Sequence, residues 1–173
     1  MRGHIILSHG SDSSPEATKV SALAAQAEAA GWSTARPDYR DDDRHGHAAC
    51  VSLRVARLLA AIDAAPTRPL LVGSSMGAFV TGLASLQRPL AGAFLLATPT
   101  AIPGHPQPFD LAPELPAWLV HGWNDGICPP DAVLAFAQAR RLPLLMLDDD
   151  HRLLRGMDAI AANFACLLGA LAA

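Results

Sequence analysis

The feature that most constrains the fold is an alternation, along the whole chain, of short apolar runs with longer segments rich in Ala and Leu. The short runs carry hydrophobic residues consecutively, as strands buried on both faces do. We therefore predict one α/β domain over residues 1–173, a three-layer sandwich with six parallel strands and helices on both faces. The predicted strands are 4–8, 33–39, 69–73, 91–98, 117–121 and 143–148, and the predicted helices are 14–30, 47–64, 76–86, 131–140 and 154–171.

Composition excludes several classes of protein. With 51% hydrophobic and 17% charged residues, the chain of 173 residues can bury a large core, so a disordered protein is disfavoured. The formal net charge is -3 and no basic stripe is present, which disfavours nucleic-acid binding. Three cysteines, an odd number without metal-type spacing, favour a reducing compartment, and we expect a cytoplasmic protein without metal or cofactor.

An uncharged run of 19 residues, 69–87, is long enough to suggest a membrane span. Glycines and serines interrupt it, with Gly73, Ser74, Ser75 and Gly77 in its first half. The N-terminal apolar run is far shorter than the hydrophobic region of a signal peptide. We therefore expect no membrane partner, and we interpret residues 69–87 as a strand, a tight turn and a buried helix.

The turn in this run has the pattern Gly-x-Ser-x-Gly, centred on Ser75. A serine on a sharp turn between strand and helix can project its hydroxyl above the sheet, where it is available as a nucleophile. A serine hydroxyl needs a base, and that base needs an acid to orient it. Asp125 and His151 follow later predicted strands, in the order Ser, Asp, His.

Four motifs resemble those of a known family: His9-Gly10, residues 73–77, residues 121–125 with Pro129 beyond, and Asp150-His151. Together they span nearly the whole chain, and they are similar to the motifs of the α/β-hydrolase superfamily. The resemblance implies that Ser75 is the nucleophile, Asp125 the acid and His151 the base. It also implies an oxyanion hole formed by the backbone N–H groups of Ser11 and Met76, which would stabilise the tetrahedral intermediate.

The sequence departs from the family pattern in two ways, and these indicate which members of the family it resembles. The chain begins where the third of the usual eight strands would begin, so we expect two antiparallel strands to be missing. Residues 99–116, where relatives insert a cap domain, include six prolines, and we expect a stiff rim with Ile102 and Phe109 near the site. The sequence thus resembles small, lidless serine hydrolases, including dienelactone-hydrolase-like esterases. Dienelactones are disfavoured as substrates because Ser75 stands where those hydrolases have Cys.

Several residues allow two interpretations. Asp148, Asp149 and Asp150 are alternatives to Asp125 as the acid, although neighbours of His151 in sequence are poorly placed to orient its ring. Trp123 either lines the substrate pocket or packs structurally. The segment Asp41–Asp43 with His45 and His47 is interpreted as a solvated loop that contributes to the mouth and repels anions, and a metal site there is disfavoured. We assign structural roles to His9, His121 and Cys128.

The resulting prediction is a serine hydrolase of small carboxylic esters, with thioesters and amides as further possible substrates. An alternative is a non-catalytic protein that binds a ligand or partner on the same scaffold. A nucleotide-binding domain fits the same alternation, but the chain lacks both a GxGxxG motif and a P-loop lysine. Oligomeric state is not encoded in any of these patterns.

Overall fold

A parallel six-stranded sheet forms the centre of the molecule in the computed structural model, which describes residues 2–172. The strands are β1 (His4–Ser8), β2 (Ser33–Ala35), β3 (Leu70–Ser74), β4 (Gly92–Leu96), β5 (Ala117–Gly122) and β6 (Leu144–Leu147). The helices are α1 (Thr18–Ala29), α2 (Arg40–Asp43), α3 (His47–Asp63), α4 (Met76–Ser85), α5 (Pro130–Arg140) and α6 (Met157–Ala172). The strand order is β2-β1-β3-β4-β5-β6, and the predicted fold class is confirmed.

Two apolar cores, one on each face of the sheet, explain why the strands are continuously hydrophobic. In β1, Ile6 belongs to the core beneath α3 and α4, whereas Ile5 and Leu7 belong to the core beneath α1 and α6. Successive side chains of a strand point to opposite faces, so both faces must be apolar here. The sheet therefore has helices on both sides, as the sequence predicts.

Helix α1 begins at Thr18, and the predicted start at residue 14 is wrong. Ser14 and Pro15 form a tight turn instead, in which the Ala17 N–H donates to the Ser14 carbonyl at 3.1 Å. Proline is favoured at the second position of such a turn, because its fixed φ suits that position. Ser and Pro are therefore turn residues here and do not open the helix.

The segment after β2 also differs from the prediction. Strand β2 ends at Ala35, four residues before its predicted end, and Pro37 beyond it has no N–H to continue a ladder. Residues predicted to be an acidic loop form the single turn α2, and this segment is not simply solvated. Asp42 and Asp43 are largely buried and pair with Arg57 and Arg54 of α3.

The uncharged run 69–87 forms β3, the turn at Ser75 and helix α4, as predicted. All ten residues of α4 are buried, so its hydrophobicity reflects burial between the sheet and α3. Among residues 2–172, no helix combines the length and the apolar character needed to cross a membrane.

Two glycines allow the start of α4 to approach the sheet backbone closely. A Cβ at Gly73 would lie 2.5 Å from the Gly77 carbonyl oxygen. A Cβ at Gly77 would overlap the Ser8 carbonyl oxygen and lie 2.6 Å from the Ser8 carbonyl carbon. These contacts involve backbone atoms, which cannot rotate away, so only glycine fits at both positions.

Gly77→Ala should lower the free energy of unfolding by about 2 kcal/mol or more, because the new methyl group would displace α4 from β1. Urea unfolding followed by circular dichroism measures this change. Gly169→Ala is the matched control, since Gly169 lies in α6 and an added Cβ would meet no atom within 4 Å. The control should gain up to about 1 kcal/mol from helix propensity. Equal stability of Gly77→Ala and the unmodified chain would contradict the close-contact argument.

Candidate active site

Ser75 lies in the turn between β3 and α4, with the backbone dihedrals φ 54° and ψ -120°. A positive φ in a residue other than glycine costs of order 1–3 kcal/mol, so the surrounding structure must hold it in place. The Ser75 N–H donates to the Leu96 carbonyl of β4 at 2.9 Å, and the Ser75 carbonyl accepts from Ala78 at 2.8 Å. The strained turn therefore fixes the Oγ atom at the carboxyl edge of the sheet.

His151 and Asp125, which follow β6 and β5, lie against Ser75 in a continuous hydrogen-bonded row. The Ser75 Oγ is 2.9 Å from His151 Nε2, and His151 Nδ1 is 2.8 Å from Asp125 Oδ2. In this arrangement the Nδ1–H donates to the carboxylate and Nε2 accepts from the hydroxyl. The structure thus brings together the three residues that the sequence singled out.

Asp125 is held by its own loop. Its Oδ1 accepts the backbone N–H groups of Ile127 at 2.9 Å and Cys128 at 2.7 Å, and the residue is only 4% exposed.

The alternative acids form hydrogen bonds elsewhere: Asp148 with Asn124, Asp149 with the backbone N–H groups of Asp150 and Gly156, and Asp150 with the Arg152 N–H. Asp125 is therefore the carboxylate that orients His151.

His9 and His121 are buried, and each makes backbone contacts, which agrees with the structural roles expected for them. His121 Nε2–H donates to the Cys128 carbonyl at 2.8 Å and lies 3.3 Å from Asp125 Oδ2. Burial is the main cause that lowers the pKa of both imidazoles. Both rings are therefore favoured in the neutral form, and His121 contacts the loop that holds Asp125 at both Cys128 and Asp125.

The two predicted oxyanion-hole residues, Ser11 and Met76, lie in the wall of the cavity that contains Ser75 and His151. Met76 is the first residue of α4, so its N–H has no acceptor within the helix. The start of a helix also carries a partial positive charge, which favours a developing anion. Ser11 follows β1, and its N–H belongs to the loop beside Ser75.

The cavity has a volume of about 700 Å³, and its wall corrects several predictions. Ile102 lines it as expected, but Phe109 does not, because it packs in the core against Phe79 and Phe136. Trp123 is also outside the cavity, with 52% of its surface exposed to solvent. Asp41–Asp43 do not line the cavity either, since two of these carboxylates face arginines of α3, but His47 of the same predicted segment does line it.

Two exposed apolar residues at the mouth were missed by the sequence analysis. Ile127 and Leu154 line the cavity and are 72% and 40% exposed. Their only sequence signal is that each lies in a loop within three residues of Asp125 or His151. The mouth is therefore partly apolar, although no part of residues 2–172 forms a cap over it.

Lys19, the only lysine in the sequence, was also missed. Its Nζ donates to the Arg152 carbonyl at 2.7 Å, so that it ties α1 to the loop that carries His151. Burial lowers the pKa of Lys19 to about 8, while the nearby charges of Asp125, Asp149 and Asp150 raise it. The ammonium group thus offsets part of the negative charge around the site.

Among residues 2–172, Asp125, Cys128 and His151 form a group that could hold a metal, since their ligand atoms lie within 4.8 Å of one another. Their chemistry does not favour a metal. Asp125 and His151 are already hydrogen-bonded to each other, and burial, followed by the charge of Asp125, raises the pKa of Cys128 to about 12. Metal binding requires a thiolate, and the raised pKa adds to the cost of deprotonating this thiol.

Similarity to known proteins indicates the family of this chain. No protein-family model matches the chain, and no curated protein matches it in sequence. Among solved structures, a candidate hydrolase of the alpha/beta superfamily from Xanthomonas campestris pv. campestris is 41% identical to this chain. The match covers 97% of this chain and 99% of that protein, with a TM-score of 0.92.

Two further structures are similar in fold. Est1E from Butyrivibrio proteoclasticus has a TM-score of 0.79 at 16% identity, over 98% of this chain and 88% of its own. An alpha-beta serine hydrolase homologue from Coxiella burnetii has a TM-score of 0.73 at 20% identity, over 94% of this chain and 85% of its own. These two structures share the fold, and the 41% identity to the Xanthomonas protein over nearly the whole of both chains shows that the chain belongs to the α/β-hydrolase superfamily.

Proposed function

We propose that the protein is a serine hydrolase that cleaves small carboxylic esters through an acyl-enzyme on Ser75. The observation that carries the proposal is the hydrogen-bonded row from Asp125 through His151 to the Ser75 hydroxyl, with distances of 2.8 and 2.9 Å. This arrangement supplies a nucleophile, a base within reach of its proton and an acid that orients the base.

In the acylation step, Ser75 Oγ attacks the ester carbonyl carbon while its proton passes to His151 Nε2. The tetrahedral intermediate collapses when the bond to the leaving alkoxide breaks, and His151 returns the proton to form the alcohol. Asp125 stays ionised and stabilises the imidazolium through its hydrogen bond to Nδ1–H. In deacylation, His151 takes a proton from water, whose oxygen attacks the acyl carbon, and Ser75 leaves with that proton to release the acid.

The negative charge that develops on the carbonyl oxygen needs donors. The N–H groups of Met76 and Ser11 are proposed for this role, as both residues line the cavity beside Ser75. Removal of one such donor typically costs about 100- to 1,000-fold in kcat.

The cavity wall favours esters with an apolar acyl or aryl group. Ile102, Ile127 and Leu154 are its larger aliphatic side chains outside the helices, and two of them are exposed at the mouth. An open mouth without a cap admits small substrates directly from solvent. We also propose that the protein is related to dienelactone-hydrolase-like esterases but uses serine as its nucleophile. Thioesters are further proposed substrates, because the same catalytic residues can cleave them.

Ser75→Ala should lower kcat for a p-nitrophenyl ester by about 10,000-fold or more, because no nucleophile remains. Intact-mass spectrometry after treatment with a fluorophosphonate should give one adduct on the unmodified protein and none on the variant. Ser52→Ala, at an exposed position of α3, is the control and should behave like the unmodified protein. An unmodified protein that takes up no adduct and hydrolyses no ester would favour the alternative of a non-catalytic binding protein.

Asp125→Asn should lower kcat by about 10,000-fold, because an amide group favours the wrong tautomer of His151. Steady-state kinetics on the same ester measures this loss. Asp148→Asn is the matched control, since Asp148 is exposed and its side chain accepts a hydrogen bond from the Asn124 side chain. It should change kcat by less than about twofold. Equal losses in the two variants would contradict the role of Asp125.

Ile127→Ser should raise KM for a p-nitrophenyl hexanoate by about fivefold and leave the acetate unaffected, because only the longer acyl group reaches the apolar mouth. Ile127 is 72% exposed, so the change should cost little stability. Leu86→Ser, at an exposed position outside this cavity, is the control. A rise in KM that is the same for acetate and hexanoate would count against an apolar acyl site at Ile127.

A further inference from the structure

A fully buried arginine lies behind the loop that carries Ser11. Arg54 occupies the buried face of α3 between Val51 and Leu58, and its side chain has no exposure to solvent. A buried guanidinium is strongly unfavourable unless its donors are satisfied and its charge is paired. Its position within an apolar stripe is also the sequence signal by which it could have been found.

The contacts of Arg54 explain how it is tolerated. Its Nε and Nη2 donate to the Asp43 carboxylate, each at 2.6 Å, and its Cζ lies 4.6 Å from the centre of the Tyr39 ring. Two further donors bind backbone: Nη1 donates to the His9 carbonyl at 2.8 Å, and Nη2 to the Gly10 carbonyl at 3.0 Å. Arg54 thus joins α2 and α3 to the loop after β1.

The contact between Arg54 and the Gly10 carbonyl determines the orientation of the Ser11 N–H. This carbonyl belongs to the same planar peptide group as the Ser11 N–H, and in a trans peptide the two bonds point in opposite directions. A donor that fixes the Gly10 oxygen therefore also fixes the direction of the Ser11 N–H. Donation to the carbonyl further polarises the peptide group, which strengthens its N–H as a donor.

His9 holds the same oxygen from a second side. Its Nδ1–H donates to the Gly10 carbonyl at 2.8 Å, while its Nε2 accepts the Tyr39 N–H at 3.1 Å. The Tyr39 contact requires Nε2 to be unprotonated, and the ring is favoured in the neutral form, so the tautomer is fixed. Two donors on separate elements therefore converge on one carbonyl.

We infer that Arg54, oriented by Asp43, is a positioning residue that sets the direction of the Ser11 N–H in the oxyanion hole. The inference rests on the proposed function, because the N–H acts on charge only if a tetrahedral intermediate forms at Ser75. Arg54 does not touch the substrate. It acts through the peptide group that it holds.

The chain contains a matched control one helical turn further along α3. Arg57 pairs with Asp42 through two hydrogen bonds of 2.7 and 3.0 Å, so the ion pair has the same form as that of Arg54 and Asp43. Among the described residues, however, the guanidinium of Arg57 hydrogen-bonds to Asp42 alone, and its side chain is 45% exposed. Loss of this second pair changes the contact between α2 and α3 but leaves the Gly10 carbonyl unaffected.

The test compares Arg54→Lys and Asp43→Asn with Arg57→Lys and Asp42→Asn. Lysine keeps the charge but cannot bind the carboxylate and both carbonyls in one plane. The first pair of variants should lower kcat for p-nitrophenyl acetate by about 10- to 100-fold and change KM by less than about twofold. Affinity for butylboronic acid, which forms a tetrahedral adduct with an active-site serine, should fall by the same factor. The second pair should stay within about threefold of the unmodified protein in both measurements.

The outcomes separate the two proposals. If the unmodified protein is neither labelled by a fluorophosphonate nor active on esters, the proposed function fails. If it is active but the variants of Arg54 and Arg57 lose kcat equally, or if KM changes in place of kcat, the positioning role is overturned. Thermal unfolding identifies any variant that does not fold. If Arg54→Lys does not fold, kcat is compared between Asp43→Asn and Asp42→Asn, because Asp43→Asn still leaves Arg54 with an amide oxygen as acceptor.

Discussion

The close approach of helix α4 to the sheet backbone is the constraint on which the rest of the site depends. Gly73 and Gly77 leave no room for a side chain between β3, α4 and β1, and Ser75, midway between them, has a positive φ. The strain in Ser75 is maintained by this packing and by a backbone bond to β4. Because β3 is near the centre of the sheet, the hydroxyl lies where loops from strands on both sides can reach it.

The sequence allowed the sheet and the three aligned residues to be predicted because their signals are local. Apolar runs, a Gly-x-Ser-x-Gly turn and the polar residues after β5 and β6 can be recognised without knowing what packs against what. Trp123 and Phe109 were misplaced for the opposite reason, since the direction of a loop side chain depends on neighbours distant in sequence. The start of α1 was wrong because Ser14 and Pro15 suit a turn as well as a helix start.

The acidic segment after β2 was also misinterpreted because its contacts are made with residues distant in sequence. Three consecutive aspartates are typical of a solvated loop, and only tertiary structure reveals that Asp42 and Asp43 face Arg57 and Arg54. The two ion pairs have equal form but differ in the exposure of their arginines: the side chain of Arg57 is 45% exposed, whereas that of Arg54 has no exposure to solvent. Arg54 in an apolar stripe was the one available hint, because a charge placed there must have partners on another element.

The proposed catalytic residues and the residues of the mouth lie on different elements, which affects how such a protein can change over evolutionary time. The groups proposed to act on the scissile bond are held by backbone contacts and buried pairs, whereas Ile127 is 72% exposed in a loop at the mouth. Substitutions at Ile127 or Leu154 would alter the surface that meets the substrate while leaving β3, α3 and α4 undisturbed. In the proposed enzyme, natural variation at this mouth would thus change which substrates are accepted at little cost in folding.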